Sequence, residues 1–360
     1  MPDHLIAYGW DDRIATLYSL VDIPGHRPAR VIRTDRGSSL AVSDVGTIRA
    51  TPYSLASRRH GVEGAVATGD WVALLDDPVE GWVVVSVLPR RSELSRLDPE
   101  PGAAAQQVLA ANVDVVAVVI PLDRPASAAR VERFAAVAWE SGAIPAVILT
   151  KADLATDLAT TQAAVEAAAP GLDVVVTCAT TGQGVDDVAA LTVPSRTLAL
   201  LGPSGAGKST LVNCLVGDDV QQTGDVRDGD HRGRHTTTAR ELIPIPGGGV
   251  LLDTPGVRSL GLWDVEAGLS EAFPEIDELA AACKFRDCAH EAEPQCAVQE
   301  AIATGVLEER RFASYRKLER EMARLHQTVA DQRARNRAWG RSFKQVKNDL
   351  KRRDPRRGGK

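Results

Sequence analysis

The stretch from Leu198 to Thr210, Leu-Ala-Leu-Leu-Gly-Pro-Ser-Gly-Ala-Gly-Lys-Ser-Thr, constrains this chain more than any other. Leu198, Ala199, Leu200 and Leu201 form a short apolar run that reads as a buried strand, and Leu211, Val212 and Leu215 follow at helical spacing. Between them lie Gly202, Pro203, Ser204, Gly205, Ala206, Gly207, Lys208, Ser209 and Thr210. They carry the glycines, lysine and serine of a phosphate-binding loop, in the strand–loop–helix context such a loop requires. Glycine lets backbone N–H groups turn inward and approach phosphate oxygens closely. The following helix points its positive end at the anion. Lys208 is placed to reach the terminal phosphates and Ser209 to ligate magnesium.

A length of 360 residues leaves room for two or three domains. No stretch approaches about 18 uninterrupted apolar residues, and the first residues show no basic segment leading into an apolar one. A cytoplasmic protein with no membrane span is expected. Of five cysteines, three cluster with a histidine, which suits metal binding in a reducing compartment better than a disulfide framework. The net charge is −6, yet residues 331–360 hold 12 Lys/Arg against 3 Asp. An acidic body with a basic tail points to a nucleic-acid partner for the tail.

Residues 1–25 carry Leu5, Trp10, Ile14, Leu17 and Leu20 in a broken helical pattern and read as an N-terminal arm. Residues 26–97 change to short strands at 29–33, 39–42, 47–51, 71–75 and 82–88, separated by turn signals such as Gly37, Gly46 and Asp76-Asp77-Pro78. Five short strands in this length predict a small β-barrel of OB type. Such barrels bind single-stranded nucleic acid through a basic face with stacking aromatics. Tyr53, Arg58, Arg59 and His60 are candidates with Trp71 and Trp82, although alternation around the two tryptophans points to core. Asp98-Pro-Glu-Pro-Gly102 reads as a linker. From 103 to 262, strands at 113–120, 146–149, 174–177, 198–201 and 250–252 alternate with helices at 127–141, 154–168 and 185–191. That alternation predicts an α/β, doubly wound parallel sheet with ligands at the C-terminal ends of its strands.

Thr150-Lys151-Ala152-Asp153 follows a strand directly and is of the (Asn/Thr)-Lys-x-Asp type that reads guanine. A carboxylate such as Asp153 accepts both the ring N–H and the exocyclic amine of guanine, a pattern adenine lacks, and the Lys151 stem can pack along the base. Cys178 and Ala179 resemble the Ser-Ala loop whose backbone contacts the guanine oxygen, with Cys178 where serine is usual. Beyond the phosphate loop, Gly233-Arg-His-Thr-Thr-Thr238 offers a switch I threonine for magnesium: Thr238 or Thr237, ahead of Thr236. Asp253-Thr-Pro-Gly256 offers a carboxylate, Asp253, acting on magnesium through water, and the Gly256 N–H for the terminal phosphate. Base loop, guanine-contact loop, phosphate loop, switch I, switch II is a circular permutation of the common GTPase order. A sheet tolerates this where the old termini lie close together. Switch II then leads straight into the C-terminal domain.

In that domain, residues 263–330, Cys283, Cys288, His290 and Cys296 place three thiols and one imidazole within 14 residues, the donor set of one closed structural zinc site. Cys214 reads as ordinary core. Phe312, Tyr315, Leu318, Met322, Leu325 and Val329 recur at three- and four-residue intervals, a mainly helical signal with one apolar stripe. The tail, with Trp339 and Phe343 among its charges, is either solvated or in contact with RNA.

Together these motifs resemble the RsgA (YjeQ) family of ribosome small-subunit-dependent, circularly permuted GTPases, over roughly residues 30–330. The resemblance implies an OB-type barrel, a permuted GTPase domain and a mainly α zinc-binding domain. It implies hydrolysis of GTP to GDP and phosphate with Mg2+, stimulated by the 30S subunit and serving its late maturation. The barrel and zinc domain would contact 16S rRNA, the factor would leave on hydrolysis, and it would act as a cytoplasmic monomer. Val257 stands where many GTPases place a water-orienting Gln. His235 is a candidate for that role beside Lys208, the other option being that His235 contacts rRNA or the switch itself. An RNA-binding module whose nucleotide only locks its shape, and a GTPase serving another target, are the competing readings.

Overall fold

The computed structural model describes residues 3–52, 65–97, 106–193, 195–217, 240–253 and 266–323. The N-terminal residues are not a free arm. Helix α1 (Asp3–Ile6) buries Leu5, and α2 (Asp12–Ser19), capped by the Asp11 carboxylate on the Ile14 N–H, buries Ile14. Trp10 meets Trp71 edge-on at 5.3 Å. Leu20 ends the pattern exposed, because it caps α2 rather than continuing it.

Strands β1 (Arg27–Asp35), β2 (Ser38–Ser43), β3 (Gly46–Ala50), β4 (Trp71–Asp77) and β5 (Gly81–Val87) pair antiparallel in the order β3-β2-β1-β4-β5. The two ends of that row meet beyond β3. There the Thr51 N–H donates to the Trp82 carbonyl at 2.9 Å, and the Val84 N–H to the Thr51 carbonyl at 3.2 Å. Strand alternation turns Ala29, Val31, Ala41, Ile48, Val72, Leu74 and Val84 into one core. Trp71 is buried and Trp82 half-buried, in keeping with the alternation. Tyr53, Arg58, Arg59 and His60 lie outside the described residues.

The stretch read as a linker also lies outside them. Its flanks, β6 (Glu93–Leu97) and β7 (Gln106–Ala111), pair antiparallel, an element with no strong sequence signal. The chain continues through β8 (Val115–Pro121), α3 (Ala128–Glu140), β9 (Ile144–Thr150), α4 (Leu158–Ala168) and β10 (Asp173–Val176). Then come α5 (Val185–Ala190), β11 (Thr197–Leu201), α6 (Lys208–Val216), β12 (Glu241–Pro244) and β13 (Val250–Asp253). The strands lie in the order β10-β9-β8-β11-β13-β12. Strand β8 is buried along its whole length, as its β-branched run requires.

The expected parallel sheet needs correction at one edge. Strand β12 runs antiparallel to β13. The Ile245 N–H reaches the Gly249 carbonyl at 3.0 Å across Pro246-Gly-Gly, a turn far too short for a parallel crossover. Strand β12 also meets β1 at Arg33 and Glu241, so strands β1–β5 and the α/β strands form one continuous sheet. Arg30 of β1 lies buried at this junction. It donates to the carbonyls of Tyr8, Gly69 and Asn112 and to the Thr197 hydroxyl at the start of β11. Burial pulls its pKa down to about 10, which leaves it charged at neutral pH.

The C-terminal segment comprises α7 (Glu266–Ala272), α8 (Pro274–Ala281), α9 (Ala297–Ala303) and α10 (residues 309–323). Helix α7 lies hard against α3: a Cβ on Gly268 would stand 2.1 Å from the Ala136 carbonyl oxygen. The Gly268 N–H donates to the Glu140 carboxylate at 3.0 Å. Buried Glu132 of α3 accepts from Arg310 at 3.0 Å and Arg311 at 3.3 Å, and the Arg311 guanidinium lies 4.7 Å over the Phe273 ring. The apolar stripe of α10 buries Leu318 and Met322 and half-buries Phe312 and Tyr315; Leu325 and Val329 lie outside the described residues. Among the described residues no helix is long and apolar enough to cross a membrane.

Candidate functional site

The phosphate loop leaves the sheet from the end of β11. Only glycine fits at 202, because a Cβ there would lie 2.5 Å from the Val119 carbonyl oxygen of β8. Ser204 and Gly205 are exposed at the turn, Ala206 is buried, and Lys208, Ser209 and Thr210 open α6. The Lys208 ammonium donates to the carbonyls of Gly202 and Pro203, each at 2.7 Å, and so lies across the loop it ends.

The base-type loop follows β9 and is tied to the phosphate loop. Thr150 is buried, and its hydroxyl donates to the Ala206 carbonyl at 2.6 Å. Lys151 takes a left-handed conformation (φ 59°, ψ 46°) and its ammonium pairs with Asp123 at 2.6 Å. That bond holds the Asp123 carboxyl below its ordinary range. Asp123 went unseen in the sequence, since one acid after a strand has no spacing to mark it. Ala152 and Asp153 belong to a single 3-10 turn, Ala152–Leu154, anchored by the Ala152 N–H on the Thr177 carbonyl at 3.1 Å.

Cys178, buried after β10, donates its thiol to the Asp153 carboxylate at 3.2 Å. Hydrogen bonds with Thr180 and Thr181 pull the thiol below its ordinary value, while Asp153 acts to keep the proton on. The Ala179 carbonyl accepts from the Cys214 thiol at 3.4 Å. Cys214 is exposed, not core, because it falls outside the α6 face that buries Leu211, Val212 and Leu215. Asp253 ends β13, next to β11 in the sheet. His235, Thr236, Thr237, Thr238 and Gly256 lie outside the described residues.

A second group of polar side chains gathers away from the sheet. The ligand atoms of Cys283, Cys288, His290 and Cys296 all lie within 4.8 Å of one another. Cys283 Sγ stands 3.6 Å from His290 Nδ1 and 3.8 Å from Cys296 Sγ, and His290 Nδ1 stands 3.4 Å from Cys296 Sγ. A tetrahedral zinc with arms of about 2.0–2.3 Å separates its ligand atoms by about 3.3–3.8 Å, which the spacings among Cys283, His290 and Cys296 match; Cys288 completes a donor set compatible with that ion. Burial, then the neighbouring thiols of Cys296 and Cys283, push the Cys288 thiol up to about 11 against a backbone hydrogen bond from His290. Burial acts the same way on Cys283, but hydrogen bonds from the N–H groups of Val298 and Ala297, together with the thiols of Cys296 and Cys288, lower that thiol. A divalent cation at this spot would hold all three thiols as thiolates.

A phosphate loop on central strand β11, a guanine-type base loop on β9 beyond the intervening β8, and an antiparallel edge on the other side define a phosphate-loop GTPase whose strands are joined in permuted order. A family model described as RsgA GTPase matches residues 87–263. The chain is 46% identical over 351 residues to the small ribosomal subunit biogenesis GTPase RsgA of Streptomyces avermitilis, covering 97% of this chain and 91% of that relative. To the protein of the same name from Opitutus terrae it is 42% identical, over 89% and 90% of the two chains. The crystal structure of YjeQ from Thermotoga maritima matches with a TM-score of 0.62 at 25% identity, over 83% of this chain and 99% of that one. YloQ, a circularly permuted GTPase, matches in fold with a TM-score of 0.60 at 23% identity, over 83% and 95%. The chain belongs to the RsgA family of GTPases, and it is a GTP-hydrolysing enzyme whose substrate comes with Mg2+.

Proposed function

We propose that this chain is a maturation factor of the small ribosomal subunit, which binds 16S rRNA in its GTP form, is stimulated by the subunit and leaves it on hydrolysis. The bonded wall in which Thr150 ties the base loop to the phosphate loop, and Cys178 holds Asp153, carries the nucleotide half of this reading. The names of the relatives carry the ribosomal half.

In this reading the backbone N–H groups from Gly202 to Thr210 surround the phosphates, Lys208 meets the terminal ones, and Asp153 reads guanine, with Thr150, Lys151, Ala152, Cys178 and Ala179 completing the pocket. Ser209 and Thr238 ligate the magnesium that enters with GTP, Asp253 acts on it through water, and the Gly256 N–H meets the terminal phosphate. His235 orients the attacking water, since Val257 offers no hydrogen bond. Cys283, Cys288, His290 and Cys296 hold one structural zinc ion. Residues 26–97 form an OB-type barrel, supported by the ring order β1-β2-β3-β5-β4, and 103–262 the GTPase domain. Residues 263–330 form the zinc-binding domain, which meets rRNA together with the barrel; 1–25 and 331–360 flank these domains.

The test is co-sedimentation with 30S subunits under GTP, GDP and a non-hydrolysable analogue, with competition by ATP. Binding strongest with the analogue, weak with GDP and untouched by ATP is expected. Binding indifferent to the nucleotide overturns the reading.

A further inference from the structure

Among the described residues every aromatic side chain is buried or half-buried except Phe285, which is 42% exposed. It lies between Cys283 and Cys288, whose thiols turn toward the cluster and leave residues 284–287 facing out. Lys284 and Arg286 flank it, both exposed. The Lys284 ammonium stands 5.6 Å from the ring centroid, and Arg286 makes no ion pair among the described residues. The acids of the loop are engaged elsewhere. Glu291 pairs with Arg316 at 3.1 Å. Glu293 accepts the N–H groups of Ala289, Glu291 and Ala292 at 3.0, 2.9 and 3.1 Å. Asp287 lies exposed next to Arg286, and Glu291 is exposed while paired with Arg316.

We infer that Phe285 is a stacking platform for an unpaired nucleobase of the docked RNA, with Lys284 and Arg286 meeting the phosphates on either side of it. The inference rests on the reading that rRNA is the partner. An exposed ring with a cation on each side of it in sequence matches a polyanion that carries π-faces: stacking supplies sequence-tolerant attraction and the cations supply the backbone contact. A purely apolar protein contact gives no reason for the flanking charges.

The experiment measures binding of the full-length protein to 30S subunits with a non-hydrolysable GTP analogue, for the wild type, Phe285→Leu and Phe285→Trp. Leucine keeps the apolar volume and loses the ring. Phe285→Leu should bind about ten-fold more weakly, and Phe285→Trp within about two-fold of the wild type. Both should keep the metal content and the subunit-free GTPase rate of the wild type. Ultraviolet crosslinking should place the Phe285 peptide on rRNA. Unchanged binding by Phe285→Leu, or a crosslink to a ribosomal protein instead, overturns the inference and leaves the maturation reading standing. A wild type that fails to bind the subunit removes both.

Discussion

The phosphate loop hangs from β11, buried at all five positions, and runs into a helix that buries Leu211, Val212 and Leu215. The Cys283–Cys296 loop hangs from little: of its residues only Cys296 is buried. His290 and Gln295 within it sit at φ 58° and 61°, a conformation that costs about 1–2 kcal/mol for residues with a Cβ. Both regions hold polar atoms at fixed spacing. The first does so with main chain, a glycine that lets strands touch and a threonine that ties two loops together. The second has no comparable core, and its four side chains are gathered at a spacing that suits a metal ion. The first site is held by the sheet whatever its ligand does; under the proposed zinc, the second depends on its ligand.

That contrast is broken or sharpened most strongly by chelation. Structural zinc contributes about 10–16 kcal/mol in small metal modules. Stripping the metal from the full chain, or Cys288→Ala, should therefore collapse residues 283–296 and abolish subunit binding. Nucleotide affinity, followed by fluorescent GDP titration, should stay within about two-fold. Metal analysis that still finds one equivalent of zinc in Cys288→Ala counts against the ligand set. Lys208→Ala reverses the pattern: turnover should fall by about 10²–10³-fold, in the range for losing one preorganised charge donor, with zinc content unchanged.

Asp153→Asn should weaken GDP by about 1–3 kcal/mol, the cost of leaving buried donors unpaired. It should improve xanthine nucleotides, whose extra carbonyl an amide N–H can meet. Gly202→Ala should cost about 1–3 kcal/mol in thermal or urea unfolding through overpacking against Val119, and it tests whether the loop is built by close backbone approach. The smallest effect belongs to Cys178. Its alanine variant should weaken GDP binding by about 0.5–1.5 kcal/mol, and serine, which can still donate to Asp153, should restore it.

What was legible in the sequence is local. The phosphate loop, the Thr150–Asp153 loop and the cysteine cluster each declare themselves within 14 residues, because their chemistry fixes residue types at short spacing. Strands β1–β5 and those of the α/β sheet were legible through alternation and β-branched runs. What stayed hidden joins distant parts of the chain. Glu132 sits on a helix whose apolar face was plain, yet it is buried because Arg311, 179 residues away, reaches it. Arg30 of β1 carries no sequence signal for burial, yet Asn112 and Thr197 close over it. Strand β12 was invisible because four residues ending in a proline carry no period, and Asp123 because one acid carries none. Gly268 gave no hint that α7 and α3 touch.

The central claim is that a permuted GTPase of this architecture turns over on the small ribosomal subunit. GTP hydrolysis at saturating nucleotide, measured with and without purified 30S subunits, tests it most directly. The account predicts a slow rate alone that rises on the order of ten-fold or more with subunits, and no rise for Lys208→Ala. Equal rates with and without the subunit would contradict it.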